Sequence, residues 1–259
     1  MIPGLIALSQ FKAFTLVLFR LTGLFLVAPL YGSRDTPARV KLGLAALTAF
    51  VVFPLVPVSL ASLPRDLGGF TGFVLAELGV GITLGFATSL FFSAFQLAGQ
   101  HIGQQMGLSL ADIVDPFSET EVSLIGQFQF FLALAIYVAV GAHRWLLGAV
   151  AESFHAVPLG GFRATPQLIQ LVSDAFGNLL GLSLQLAAPV LVALFLSTVA
   201  LGFVARAVPQ MNILMLSFPL QIGLGLGVLL ATLPAFTRMI LTLCEGLTGD
   251  LSRMLAAMA

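Results

Sequence analysis

Three ionisable residues, Arg20, Glu77 and Arg206, stand within or between long apolar runs. A charge in a lipid-facing helix costs about 2.5–3.5 kcal/mol on insertion scales, so such residues usually face a charged partner or water. Their chemistry would be a proton relay or the passage of a substrate ion. Salt bridges or helix-end positions fit their wide separation better. A transporter more often places acidic groups at matched positions of two internal repeats, and no convincing repeat is found. His101, His143 and His155 are too scattered to share a metal ion. The single cysteine, Cys244, allows neither an intrachain disulfide nor a cysteine cage within one chain. Zinc-protease HExxH, nucleophile-elbow, P-loop and GxGxxG patterns are missing. The expectation is therefore no catalytic, cofactor-binding or metal-binding residues, and no enzyme.

The other concentration of chemistry is GQQMGLSLADIVDPFSETE, from Gly103 to Glu121. It carries Asp112, Asp115, Glu119 and Glu121, four of the eleven carboxylates, and no basic residue. Met106, Leu108, Leu110, Ile113, Val114 and Phe117 are interleaved with Ser109, Asp112, Asp115 and Ser118. Pro116 favours extended backbone at Asp115. On residue types alone this is a connector between helices, its Asp and Ser serving as caps and turn formers. Gly99, Gly103 and Gly107 lead into it at four-residue spacing, beside the Gln100/Gln104 and His101/Gln105 pairs. Small residues so spaced let helix backbones approach closely. Two readings of that face stay open: tight packing within the chain, or a crowded subunit interface or pore.

These residues are positioned by elements that lipid, neighbouring subunits or both must solvate. Of 259 residues 59% are hydrophobic and 8% charged, where a soluble domain is about a quarter charged. Zero net charge gives no basic footprint for nucleic acid. Leu5–Leu30, Leu42–Pro64, Leu67–Ala111, Val122–Ala142, Ala175–Ala205 and Ala207–Thr237 are apolar runs near or above the roughly 20 residues of a membrane span. A weaker amphipathic tail follows from Met239. They are too long for barrel strands and do not alternate. The expected fold is an all-α membrane protein of about six to seven hydrophobic segments in helical hairpins, one domain over 1–259. Leu67–Ala111 as a single helix would be roughly 65 Å long, so it must bend back or project from the membrane. One pass there puts the basic link Arg34–Lys41 and the acidic loop on the same face, two passes on opposite faces. Pro209 and Pro219 punctuate the last long run, and His143, Arg144 and Trp145 read as an interfacial anchor. The N-terminus lacks a cleavable-signal pattern and is expected to be retained.

Four stretches together carry a resemblance: APLYGSRDTPARVKLGL, GQQMGLSLADIVDP, GAHRWLLGAVAESFHAVPLG and GFVARAVPQMNILMLSFPLQIGLGL. In order and spacing they resemble the T-subunit family of type III secretion export gates, and ARAVPQMNILMLSFPLQIG is closer to its flagellar, FliR-type branch. The resemblance covers nearly the whole chain. It implies a subunit packed in a hetero-oligomeric export gate with the P and Q export-gate proteins and in contact with the B subunit. It further implies residence in the bacterial inner membrane at the flagellar basal body, with unfolded proteins as substrates. It also implies that the Met106–Val122 loop plugs the assembled pore. An apolar plug shuts a narrow pore by dewetting it, and Leu110 and Ile113 supply apolar side chains where the family has them. The family pattern does not account for Glu119 and Glu121. The competing readings are an autonomous small-molecule or ion transporter and a membrane scaffold.

Overall fold

The computed structural model describes residues 3–29, 37–57, 63–64, 66–108, 123–210 and 212–259. Among them are seven α-helices and no strand: α1 (Pro3–Val27), α2 (Ala38–Val52), α3 (Leu67–Gln105), α4 (Leu124–Val140), α5 (Ala142–Ala156), α6 (Pro166–Ala207) and α7 (Ile213–Met258). Five are long and apolar enough to cross a membrane, six if α4 and α5 form one broken span. The chain is an all-α membrane protein.

Segment boundaries differ from the hydropathy reading for local reasons. The run from Leu42 leaves α-geometry at Val52 and closes in a 3-10 turn, Phe53–Leu55, where Pro54 has no N–H to continue the ladder. The run from Leu67 is one uninterrupted 39-residue helix, about 58 Å long at 1.5 Å per residue, and does not fold back as two helices. The tail after Met239 is no separate segment: α7 continues through it to Met258, carrying Pro219 and Pro234 inside. A long apolar helix tolerates such prolines because nearby groups re-satisfy the freed carbonyls. Gly141, in the left-handed region at φ 79°, separates α4 from α5.

Contacts divide the chain into two compact units. The first comprises Met1–Leu90, Gly141–Phe176 and Cys244–Ala259. Here α1 and the first half of α3 cross with their backbones touching. A Cβ on Gly23 would lie 2.8 Å from the Leu78 carbonyl oxygen, one on Gly85 2.9 Å from that of Leu24, and one on Gly81 would overlap the carbonyl of Arg20. Beneath the crossing, Ala13, Leu16 and Leu63 form a core with Phe53, Phe70 and Phe73 around it. Asp66 starts α3 by accepting the Gly69 N–H at 2.8 Å. That bond, its own N–H and then Lys12 hold the Asp66 carboxyl below the usual carboxylate range. Thr165 caps α6, with Pro166 at the first helical position. The Thr165 hydroxyl also donates to the Ala257 carbonyl at 2.6 Å, and the Arg163 N–H to that of Met258 at 3.1 Å, so the last carbonyls of α7 are satisfied.

The second unit comprises Phe91–Val140 and Gly177–Leu243. Its interior is aromatic. Phe92 packs edge-on against Tyr137 at 5.2 Å between centroids and tilted against Phe130 at 5.8 Å, while Phe95 meets Phe236 of α7 at 5.5 Å. The α6–α7 hairpin turns through Pro209, and Asn212 caps α7 by accepting the Met215 N–H. Gln221 donates to Thr198 across the hairpin at 3.2 Å.

Candidate functional site: the anchors of the Gly103–Ser123 loop

The far end of α3 launches the loop with a defined geometry. Gly107 has φ 80°, its N–H bonds the Gln104 carbonyl at 3.0 Å, and the Leu108 N–H reaches back to Gly103 at 3.0 Å. These two bonds make a Schellman cap, in which the residue after the helix must adopt a left-handed conformation that glycine takes without strain. Gly107 therefore lies just past the helix and fixes the direction in which the chain leaves it.

Ser123 receives the returning chain. Its hydroxyl accepts the Gly126 N–H at 3.3 Å, the usual N-cap of α4, and donates to the Gly99 carbonyl of α3 at 3.3 Å. One side chain therefore starts α4 and ties it to α3. The two helices touch just beyond. A Cβ on Gly99 would fall 2.5 Å from the Gly126 Cα, one on Gly126 2.8 Å from the Gln96 carbonyl oxygen, and one on Gly103 2.5 Å from the Ser123 hydroxyl.

Met106 is fully buried. Its side chain lies across Gly225 of α7, where an added Cβ would overlap the methionine methyl and approach Sδ at 3.2 Å. Leu108 is half-buried. Met106 thus sits at the root of the loop, while Leu110, Ile113, Val114 and Phe117 fall outside the described residues, as do the four carboxylates from Asp112 to Glu121. On the α3 surface Gln100, Gln104 and Gln105 are exposed.

The isolated charges resolve differently. Arg20 and Glu77 are both fully buried and joined by a 2.6 Å bond from Arg20 Nε to Glu77 Oε2. Arg20 Nη1 donates to the Ser153 hydroxyl and Nη2 to the Val157 carbonyl, each at 2.9 Å. The second Glu77 oxygen accepts the Gly160 N–H at 2.8 Å. The guanidinium lies 4.1 Å from the Phe154 ring centroid, within cation–π range. Arg206 sits exposed in the last turn of α6, where a cation complements the helix dipole.

Sequence reasoning missed Gly126, Ser123, Gly225 and Gly160. No i, i+4 partner on their own helices marks the first three as contact points. Gly160, at φ 76° with the Phe73 ring packed where its Cβ would stand, left only the weak signal of a glycine pair in VPLGG.

The model of a family described as "Bacterial export proteins, family 1" matches residues 11–247. The chain is 33% identical over 254 residues to the flagellar biosynthetic protein FliR of Escherichia coli strain K12, covering 96% of this chain and 93% of that protein. It is 33% identical to FliR of Bacillus subtilis strain 168, covering 84% and 85%, and 31% identical to FliR of Caulobacter vibrioides, covering 84% and 87%.

Proposed function

The chain belongs to the bacterial export proteins, family 1, and from that premise we propose that it is the FliR-type subunit of a flagellar type III protein export gate. It assembles in the inner membrane at the basal body with the P and Q export-gate proteins and contacts the B subunit. Its part is to help form the pore for unfolded proteins and to plug that pore at rest. The observation that carries this reading is likeness to proteins named FliR along nearly the whole length of both chains.

Physical features support it. Large apolar side chains are left uncovered by the chain: Phe50 is 74% exposed, Phe195 61% and Phe203 67%. Neighbouring subunits as well as lipid cover this surface in the proposed assembly. The loop root is rigidly held, by the Gly107 cap on one side and the Ser123 tie on the other. A plug needs such a fixed base, so that only the apolar segment from Leu110 to Phe117 has to be displaced when substrate arrives. Closure by a few apolar contacts excludes water and ions from a narrow pore.

Native mass spectrometry of the chain co-expressed with the P and Q proteins tests the assignment. A defined hetero-oligomer containing all three is expected. A chain that purifies alone, or as a homodimer, and binds a small solute would contradict it.

A further inference from the structure

On α6 the residues Asn178, Gln185, Val192, Val199 and Phe203 recur at steps of seven or four and are all exposed, so they lie on one face of the helix. That face changes character once. It carries amides as far as Gln185 and apolar side chains from Val192 to Phe203, and then Arg206, also exposed. Gln185 and Arg206 stand 21 residues apart, about 32 Å along the axis. On α7 the pattern is similar. From Ile213 there is no charged residue before Arg238, while Met215, Leu220, Leu224 and Leu230 are exposed in between.

The bond from Gln221 to Thr198 puts both helices of the hairpin on one scale. Measured from it, Arg206 and the Asn212 cap lie about 12 and 14 Å towards the tip, and Gln185 and Arg238 about 20 and 26 Å the other way. Polar positions on two antiparallel helices thus bracket one uncharged slab, close to the ~30 Å hydrocarbon core of a bilayer. Side-chain hydrogen bonding obeys the same limits. Inside the slab Gln221 donates to Thr198, Thr198 to the Leu194 carbonyl and Thr232 to the Val228 carbonyl, and Ser197 keeps its hydroxyl buried within the protein. Outside it the exposed side chains of Asn178, Gln185 and Arg238 make no hydrogen bond to other described residues. Hydrocarbon demands such internal pairing, and water does not.

We infer that lipid acyl chains cover the outer face of the α6–α7 hairpin from Gln185 to Arg206 and stop there, leaving Asn178 and Arg238 outside the hydrocarbon. A second protein surface would impose no common limit on the two helices at that thickness. No partner subunit is needed for this contact, so a failure of the gate to assemble would leave the inference standing.

Spin labels read the boundary. The full-length chain, with the buried Cys244 replaced by Ala, is labelled singly at Asn178→Cys, Val192→Cys, Val199→Cys or Arg238→Cys and reconstituted in lipid vesicles. Collisions with oxygen, which partitions into acyl chains, should exceed those with a water-soluble nickel chelate at 192 and 199. That order should reverse at 178 and 238. The same order at all four positions would overturn the inference. So would nickel dominating at 192 and 199, as on a face lining water, or neither collider reaching them, as under a protein cover. Carbene labelling of the unmodified chain from acyl-chain probes checks the boundary without substitutions. It should mark residues 188–203 and fall to background over residues 177–185, and equal marking of the two stretches would contradict the boundary.

Discussion

Arg20 illustrates how a charge is made tolerable inside an apolar protein. Its guanidinium donates to Glu77 of α3, Ser153 of α5 and the carbonyl of Val157, so the ion pair is also a clamp joining α1, α3 and the chain beyond α5. Removing one partner strands the other charge without water, which costs about 3–5 kcal/mol, whereas replacing both by apolar residues is often nearly neutral. Arg20→Met or Glu77→Leu alone should therefore lower unfolding stability in detergent by that amount, and the double variant by much less. Losses that simply add would show that the two residues act separately. Asp66 makes a smaller, pH-dependent contribution outside the spans. The Gly69 N–H holds its folded pKa below the ordinary 3.8. The stabilisation of the α3 start is thus complete above that value and disappears as pH falls through the lowered one. Hydrogen exchange at the Gly69 amide, corrected for its intrinsic rate, should accelerate in that window. In Asp66→Asn it should show no such step.

Among the elements, α3 does the most positioning, because its 39 residues run from the Arg20 clamp to the loop root. Much of its role was legible. The four-residue spacing of Gly99 and Gly103 marks a face that lets another backbone approach, and the apolar run Leu67–Ala111 marks a long helix. The partner surfaces were not legible. Gly126 and Gly225 have no spaced glycine partner that decides their face, and only tertiary contact shows that one meets Gly99 and the other Met106. Gly107 continues the helical spacing yet lies beyond the helix, since spacing alone does not tell a packing glycine from a C-terminal cap. Arg20 and Glu77 were visible as misplaced charges, but residues 57 apart in sequence are paired by the α1–α3 crossing, which hydropathy does not encode. Overpacking a crossing this close costs about 1–3 kcal/mol. Gly126→Leu should lower unfolding stability by at least that much, while Gly148→Leu, where an added Cβ meets nothing within 4 Å, should be near neutral. Equal losses at the two positions would remove the α3–α4 contact as the anchor of the loop.

The whole molecule is an apolar chain that leaves much of its surface for something else to cover. Its helices are overlong for a thin bilayer crossing, and the exposed Phe50, Phe195 and Phe203 are side chains that water would not solvate well. Both properties follow if the chain is one part of an assembly around a shared conduit, closed at rest by the loop that α3 and Ser123 hold in place. Ion leak across the membrane of cells carrying the assembled gate, with Met106–Phe117 deleted from this chain, tests that claim most directly. A raised resting conductance with the gate still assembled is the predicted result. A leak unchanged from that of the intact gate would contradict it.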